Sequence, residues 1–192
     1  AVKCLAETPE GKTVGFVSNL SLACFLSLYI DPVPIYDILF KCKKELNFSS
    51  INMIIRKKKW EMLKHTMVFI NGDIVGVTKN YHKFIFEMRE KRRLSMFDRT
   101  ISIVYKEKLD IIRINTTAGR ACRVVFIVKN GDLMYKKHHI KKLKVGTVTW
   151  DGLFQDGILE VIDKEEEGNY TIAYTPKDVR DEPNKYTHCT MH

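Results

Sequence analysis

The sequence has no C-x-x-C pair, although cysteine occurs at positions 4, 24, 42, 122 and 189. An odd count without paired spacing points away from a disulfide framework and from a zinc ribbon, and fits a reducing intracellular compartment. G-x-x-x-x-G-K-[ST], G-x-G-x-x-G and H-E-x-x-H are all missing, so the common phosphate-loop, dinucleotide and zinc-protease signatures are excluded. Glycine (10) and proline (5) are scarce, and neither repeats nor low-complexity linkers are present, so most of the 192 residues are expected to fold. That length suits one large domain or two to three small ones. Glu7 and Glu10 interrupt the start, where a secretory signal would need an apolar core. Residues 14–30 form the longest apolar stretch. It is shorter than the roughly 20 residues of a membrane span and contains Ser18, Asn19, Ser21 and Ser27. We read residues 20–28 as a buried core helix and expect no membrane association.

What the sequence has in excess is positive charge, +9 formally. An acidic partner, nucleic acid first, fits that balance, and so does an ordinary lysine-rich surface. The basic patches are Arg56–Lys59 and residues 136–144. Aromatics are not interleaved with them, so base stacking is not indicated.

Local patterns predict a mixed α+β chain of small sheets and packed helices in two or more subdomains. Asp31-Pro32-Val33-Pro34 should end the first helix, and residues 35–42 should form a short helix or strand. Val68-Phe69-Ile70 and Ile74-Val75 flank Asn71-Gly72, a hairpin signal. Asn80 should cap a helix over 81–93, with Phe84, Ile85 and Met88 inside and Arg89, Lys91 and Arg92 outside. Strands are predicted over 101–105, 110–115, 121–128, 158–162 and 170–174, and helical turns over 138–145 and 149–154. Glu165-Glu166-Glu167 should face solvent.

Three groups of residues are candidates for chemistry. Glu7 and Glu10 are paired carboxylates across a Thr-Pro step, with acid/base work, metal binding or loop capping as readings. His188, Cys189 and His192 are possible zinc ligands but lack a fourth, and as a Cys/His nucleophile pair they lack an oriented base. Arg120 and Arg123 suit either phosphate contact or internal ion pairs, and we favour the latter.

Five blocks, in order, carry a family resemblance: Glu7-Thr8-Pro9-Glu10-Gly11 with Val14–Leu22; Val68–Gly72 with Gly76-Val77; Thr116–Arg120 with Arg123 and Phe126–Val128; Gly157–Asp163 with Glu165–Glu167; and Thr187-His188-Cys189 with His192. Together they resemble the second-largest, β-like subunit of multisubunit DNA-dependent RNA polymerases. Thr117, Val124 and Thr190 depart from the usual Asp, Pro and Glu.

The resemblance implies a layout: residues 1–30 the end of the fork region, 31–130 the first external domain, 131–179 the second, and 180–192 the start of the hybrid-binding domain. It implies a wall of the active-centre cleft at Glu7, Pro9, Glu10 and Asn19, with Glu10 nearest the nucleotide-addition centre in a positional or electrostatic role. It also implies Mg2+ held mainly by other parts of the enzyme, with none held here. The implied partners are the largest and smaller subunits, template DNA and the RNA–DNA hybrid. With no initiator Met and an end inside the Thr-His-Cys block, the chain reads as a piece of a larger subunit, inactive alone. The rival reading, a stand-alone basic nucleic-acid-binding module, rests on charge only. The Ile/Lys-rich composition fits a divergent lineage, nuclear or, for a large DNA virus, cytoplasmic.

Overall fold

The computed structural model describes residues 3–4, 6–55 and 65–191. The basic run Arg56–Lys59 and the candidate ligand His192 lie outside the described residues. The chain is α+β and divides into two compact units, one of residues 29–117 and one of residues 1–28 with 118–192.

The unit of residues 29–117 is built on a five-stranded sheet in the order β2-β4-β3-β6-β5. Its strands are β2 (Phe48–Ser50), β3 (Thr66–Ile70), β4 (Asp73–Thr78), β5 (Ser102–Lys106) and β6 (Ile111–Asn115). All neighbours run antiparallel except β3 and β6, which are parallel. Helices α1 (Val33–Lys41) and α3 (Tyr81–Arg93) contribute Ile35, Leu39, Phe84 and Met88 to a core shared with Val68 and Ile112. A short helix, α2, covers Ile51–Ile55.

Two local predictions hold closely here. Asn71 (φ 51°) and Gly72 (φ 99°) form the tight turn between β3 and β4. The Asn80 side chain accepts a hydrogen bond from the Lys83 amide (3.0 Å) and starts α3 at Tyr81. Asn71 also reaches β6, accepting from the Thr116 amide and donating to its hydroxyl, each at 2.8 Å.

The outer face of α3 departs from expectation, because Lys91 and Arg92 are buried. Lys91 meets Glu45 at 3.0 Å. Arg92 donates to the Ile101 carbonyl (2.7 Å), and half-buried Arg89 donates to the Ile103 carbonyl (3.2 Å). Residues 101–103 lie beside the helix and supply carbonyl acceptors that periodicity does not reveal.

The proline segment also behaves differently. It starts α1 instead of ending a helix. Pro32 is the N-cap, Asp31 accepts from the Val33 amide (3.0 Å), and Pro34 sits in the first turn, where an N–H has no helical partner to lose.

The second unit centres on β7 (Ala121–Lys129). One edge pairs with β9 (Leu159–Asp163). The other pairs first with β1 (Cys24–Leu26) and then with β11 (His188–Thr190), all antiparallel. β8 (Asp132–Leu133) follows a turn at Asn130-Gly131, both at positive φ, and β10 (Ile172–Ala173) runs parallel to β11. Helices α4 (Lys137–Val145) and α5 (Trp150–Gln155) bring Leu143 and Leu153 to a small core with Leu159 and Phe126. The last helix is α6 (Pro176–Asp181), opened by a reciprocal Thr175/Asp178 capping box.

Residues 20–28 are not a buried helix. They hold only the three-residue β1, and Phe16, Leu22 and Leu28 are largely exposed. Positive-φ Gly11 and Gly15 turn the chain upstream. Downstream, Ser27 exchanges backbone hydrogen bonds with Gly119 and Arg120 (2.9 Å each), holding the segment extended against β7. A contiguous apolar run has no periodicity to separate strand from helix, and here the edge of β7 decides.

The turn gives a direct test. Gly72→Val should cost about 1–3 kcal/mol, because a β-branched residue is strained at that φ although space is open around it. Gly76→Ala should cost more, since an added Cβ would collide with the Ser49 carbonyl and lie 2.7 Å from Phe48 ring atoms. Urea unfolding of both variants checks the order; equal stability to the parent at either site contradicts it.

Candidate active-centre loop and a buried ion-pair network

Glu7, Pro9, Glu10 and Asn19 fall on one surface loop. Its ends meet where the Cys4 amide donates to the Asn19 carbonyl (2.9 Å), beside a bridge between Lys3 and Leu20. Glu10 precedes a short 3-10 turn, Gly11–Thr13, without capping it through its side chain. Glu7, Glu10 and Asn19 are exposed and Pro9 is half-buried. The loop thus presents two carboxylates to solvent.

The block Val68–Gly72 with Gly76-Val77 forms the β3–β4 hairpin of the other unit, and the three later blocks converge on β7, β9 and β11. Glu160 lies opposite Val125, and His188 lies opposite Ile127 on the other edge of the same strand. Their side chains meet across β7, His188 Nε2 to Glu160 Oε2 at 3.0 Å, with both side chains at most 3% exposed. His188 Nδ1 lies 3.0 Å from the Thr187 hydroxyl, and the Tyr170 ring stands edge-on to the imidazole at 4.2 Å. Both ring nitrogens of this candidate metal ligand are therefore engaged.

Two arginines extend the network. Arg120 pairs with buried Asp163 (2.9 Å), and Arg123 pairs with Glu167 (3.0 Å). These are the internal ion pairs favoured from the sequence. Asp163 also accepts from the Glu166 amide (2.7 Å). Glu166 is fully buried and accepts from the Tyr170 hydroxyl (2.9 Å).

The acidic run is consequently not a solvated face. The 3-10 turn Glu166–Asn169 folds it back toward Arg123 and Tyr170. Its partners lie more than 40 residues upstream and a few residues downstream, and only the former are hidden from local pattern. One sequence signal does exist: Leu159-Glu160-Val161-Ile162-Asp163 places two acids in an otherwise apolar strand. Buried charges require partners, and Arg120, Arg123 and His188 were available.

Burial pushes the Cys122 thiol up to about 11 and raises that of Cys189 as well. Both are buried, whereas Cys4, Cys24 and Cys42 are partly exposed. Among the described residues, no three His, Cys, Asp or Glu side chains are placed to hold a metal ion, and no helix is long and apolar enough to cross a membrane.

Comparison with known proteins gives three family models in chain order: RNA polymerase Rpb2 domain 3 over residues 2–26, domain 4 over 68–129 and domain 5 over 150–192. DNA-directed RNA polymerase II subunit RPB2 of Encephalitozoon cuniculi is 34% identical, the match taking in 98% of this chain and 17% of the relative. Rpo2 of Sulfolobus acidocaldarius is 32% identical over 92% of this chain and 16% of its own length. Subunit RPC2 of RNA polymerase III from Drosophila melanogaster is 30% identical over 93% and 15%. The chain belongs to the family of second-largest subunits of DNA-directed RNA polymerase. It spans about one sixth of the length of these relatives. They come from cellular organisms, and a viral source is not needed to account for the match.

Two outcomes are expected. His188→Leu should cost about 3–5 kcal/mol in urea unfolding by stranding Glu160, and adding Glu160→Leu should restore much of it; additive losses would deny the pair. In native protein at pH 8, alkylation should reach Cys4, Cys24 and Cys42 well before Cys122 and Cys189. A raised folded-state thiol pKa means that this contribution to stability is full below about 9 and is lost as pH rises toward about 11. Equal labelling of all five before unfolding contradicts the burial.

Proposed function

We propose that this chain forms part of the body of a multisubunit RNA polymerase and lends one wall to its active-centre cleft, where RNA is made from ribonucleoside triphosphates on a DNA template. The observation that carries this reading is the closed, exposed loop that holds Glu7, Pro9, Glu10 and Asn19, in a unit whose later motif blocks share one buried network. Such a network suits a rigid support, and the exposed loop suits a surface completed by other parts of the enzyme.

The reading divides the chain into the end of the fork (1–30), the first external domain (31–130), the second (131–179) and the start of the hybrid-binding domain (180–192). Its partners are the largest and smaller subunits, the template and the RNA–DNA hybrid, in the nucleus or cytoplasm. Magnesium would align the 3′ hydroxyl and the leaving pyrophosphate. On this reading its ligands belong elsewhere in the enzyme, as the family resemblance implies. What this chain supplies is position and field. Glu10 places a negative charge facing the cleft, and such a charge acts more strongly as water is excluded.

In the assembled polymerase, Glu10→Gln keeps shape and removes charge. It should change single-nucleotide addition or its selectivity by a few-fold to about tenfold, the scale of a partly screened charge, while assembly stays intact. The chain alone should make no RNA. A variant equal to the parent in both rate and selectivity would reduce Glu10 to a structural residue.

A further inference from the structure

Helix α4 carries a charge pattern that the buried network does not use. At 3.6 residues per turn, Lys137, Lys141 and Lys144 share one stripe, with His138 and Lys142 beside it, and all five are exposed. The opposite side is anchored. Leu143 packs with Leu153 and Ile158, and His139 stacks on Tyr135, which stacks on Phe126. The helix contains no acidic residue. Among the described residues none of the four lysines forms an ion pair, while neighbouring Lys136 meets Asp132 at 3.5 Å.

This arrangement costs stability in the free chain. Lys137 and Lys141 repel at four-residue spacing, and Lys141 and Lys144 at three. Lys136 and Lys137 also stand at the positive end of the helix dipole. The helix start is capped by His139 Nδ1, which accepts from the Lys136 amide (2.9 Å), with no carboxylate involved. An ordinary solvated face mixes charge signs, and this one does not.

We propose that the exposed face of α4 binds the phosphodiester backbone of nucleic acid. From Lys137 to Lys144 the helix rises about 10 Å. A duplex presents a charge about every 1.7 Å of axis, so several phosphates fall within that reach. Lysines are mobile point charges and suit contact with a backbone irrespective of sequence. The face has no Phe, Tyr or Trp for stacking on bases. It also lacks the broad apolar side of an interfacial membrane helix and the aromatic or arginine anchors of a protein hot spot. Within α4 the exposed apolar residues are Ile140 and Val145. This inference does not depend on the cleft reading, because α4 and the Glu10 loop are tested by different substitutions and different readouts.

The test uses the 192-residue chain, a labelled DNA duplex and fluorescence anisotropy across about 50 to 200 mM salt. K137Q/K141Q/K142Q/K144Q should weaken binding at least about tenfold at the low end and flatten the log K against log salt slope by about 3. The charge-matched control K83Q/K108Q/K129Q/K177Q should bind within about twofold of the parent, and the quadruple Arg variant of α4 should retain binding. Unchanged far-ultraviolet circular dichroism would show that the loss is not unfolding. Equal weakening by the two Gln variants, parent-like binding by the α4 variant, or equal competition by a poly-glutamate peptide at matched charge would overturn the proposal.

Discussion

The contact between Glu160 and His188 across β7 is the constraint on which the second unit depends. A carboxylate removed from water costs several kcal/mol unless a partner repays it. Glu160 comes from β9 and His188 from β11, so the pair forms only when both strands lie on opposite edges of β7 in the observed register. A slip of one residue in β9 would send Glu160 to the other face and leave the imidazole alone. Arg120 with Asp163 and Arg123 with Glu167 add two more register-dependent pairs to the same strands. Apolar residues such as Val125 and Ile127 supply burial around this arrangement, but they would tolerate more than one alignment.

The same strand explains how the other unit is attached. Residues 29–117 leave the chain after β1 and return just before β7, two neighbouring antiparallel strands. On one side of the junction, Ser27 bonds to Gly119 and Arg120; on the other, the Ile30 amide donates to the Thr116 carbonyl (3.1 Å). The ends of the insertion are therefore tied within each unit, and each unit has its own hydrophobic cluster. The insertion carries its own five-stranded sheet and its own core.

What could be read from the sequence follows the range of the interactions. Asn71-Gly72 and Asn80 act within three residues, through positive φ and a single cap, and both elements appear where local chemistry puts them. The α+β class follows from the same local signals. Residues 20–28 depend on a partner about 95 positions away at β7, so their apolar composition misleads. Lys91, Arg92 and Glu167 look like surface charges until Glu45, the Ile101 carbonyl and the guanidinium of Arg123, respectively, are brought beside them. The candidate loop was legible through its motif, while its closure by Cys4 and Asn19 is a contact that no spacing rule predicts.

These internal pairs also change the meaning of the net charge. In the second unit, Glu160, Asp163, Glu166 and Glu167 are withdrawn wholly or in large part from solvent, against two guanidiniums and an imidazole, whereas in the unit of residues 29–117 Lys91 and Arg92 are buried. The exposed surface of the second unit is thus more positive than its composition alone suggests. In this unit acids fix strands, and the lysines of α4 are left at the surface. Composition cannot separate a scaffold from a nucleic-acid-binding surface, because it counts both sets of charges together. The fold separates them by burial: beside β7 the inward-facing acids meet Arg120, Arg123 and His188, while the lysines of α4 face solvent, where phosphate is the partner we propose for them.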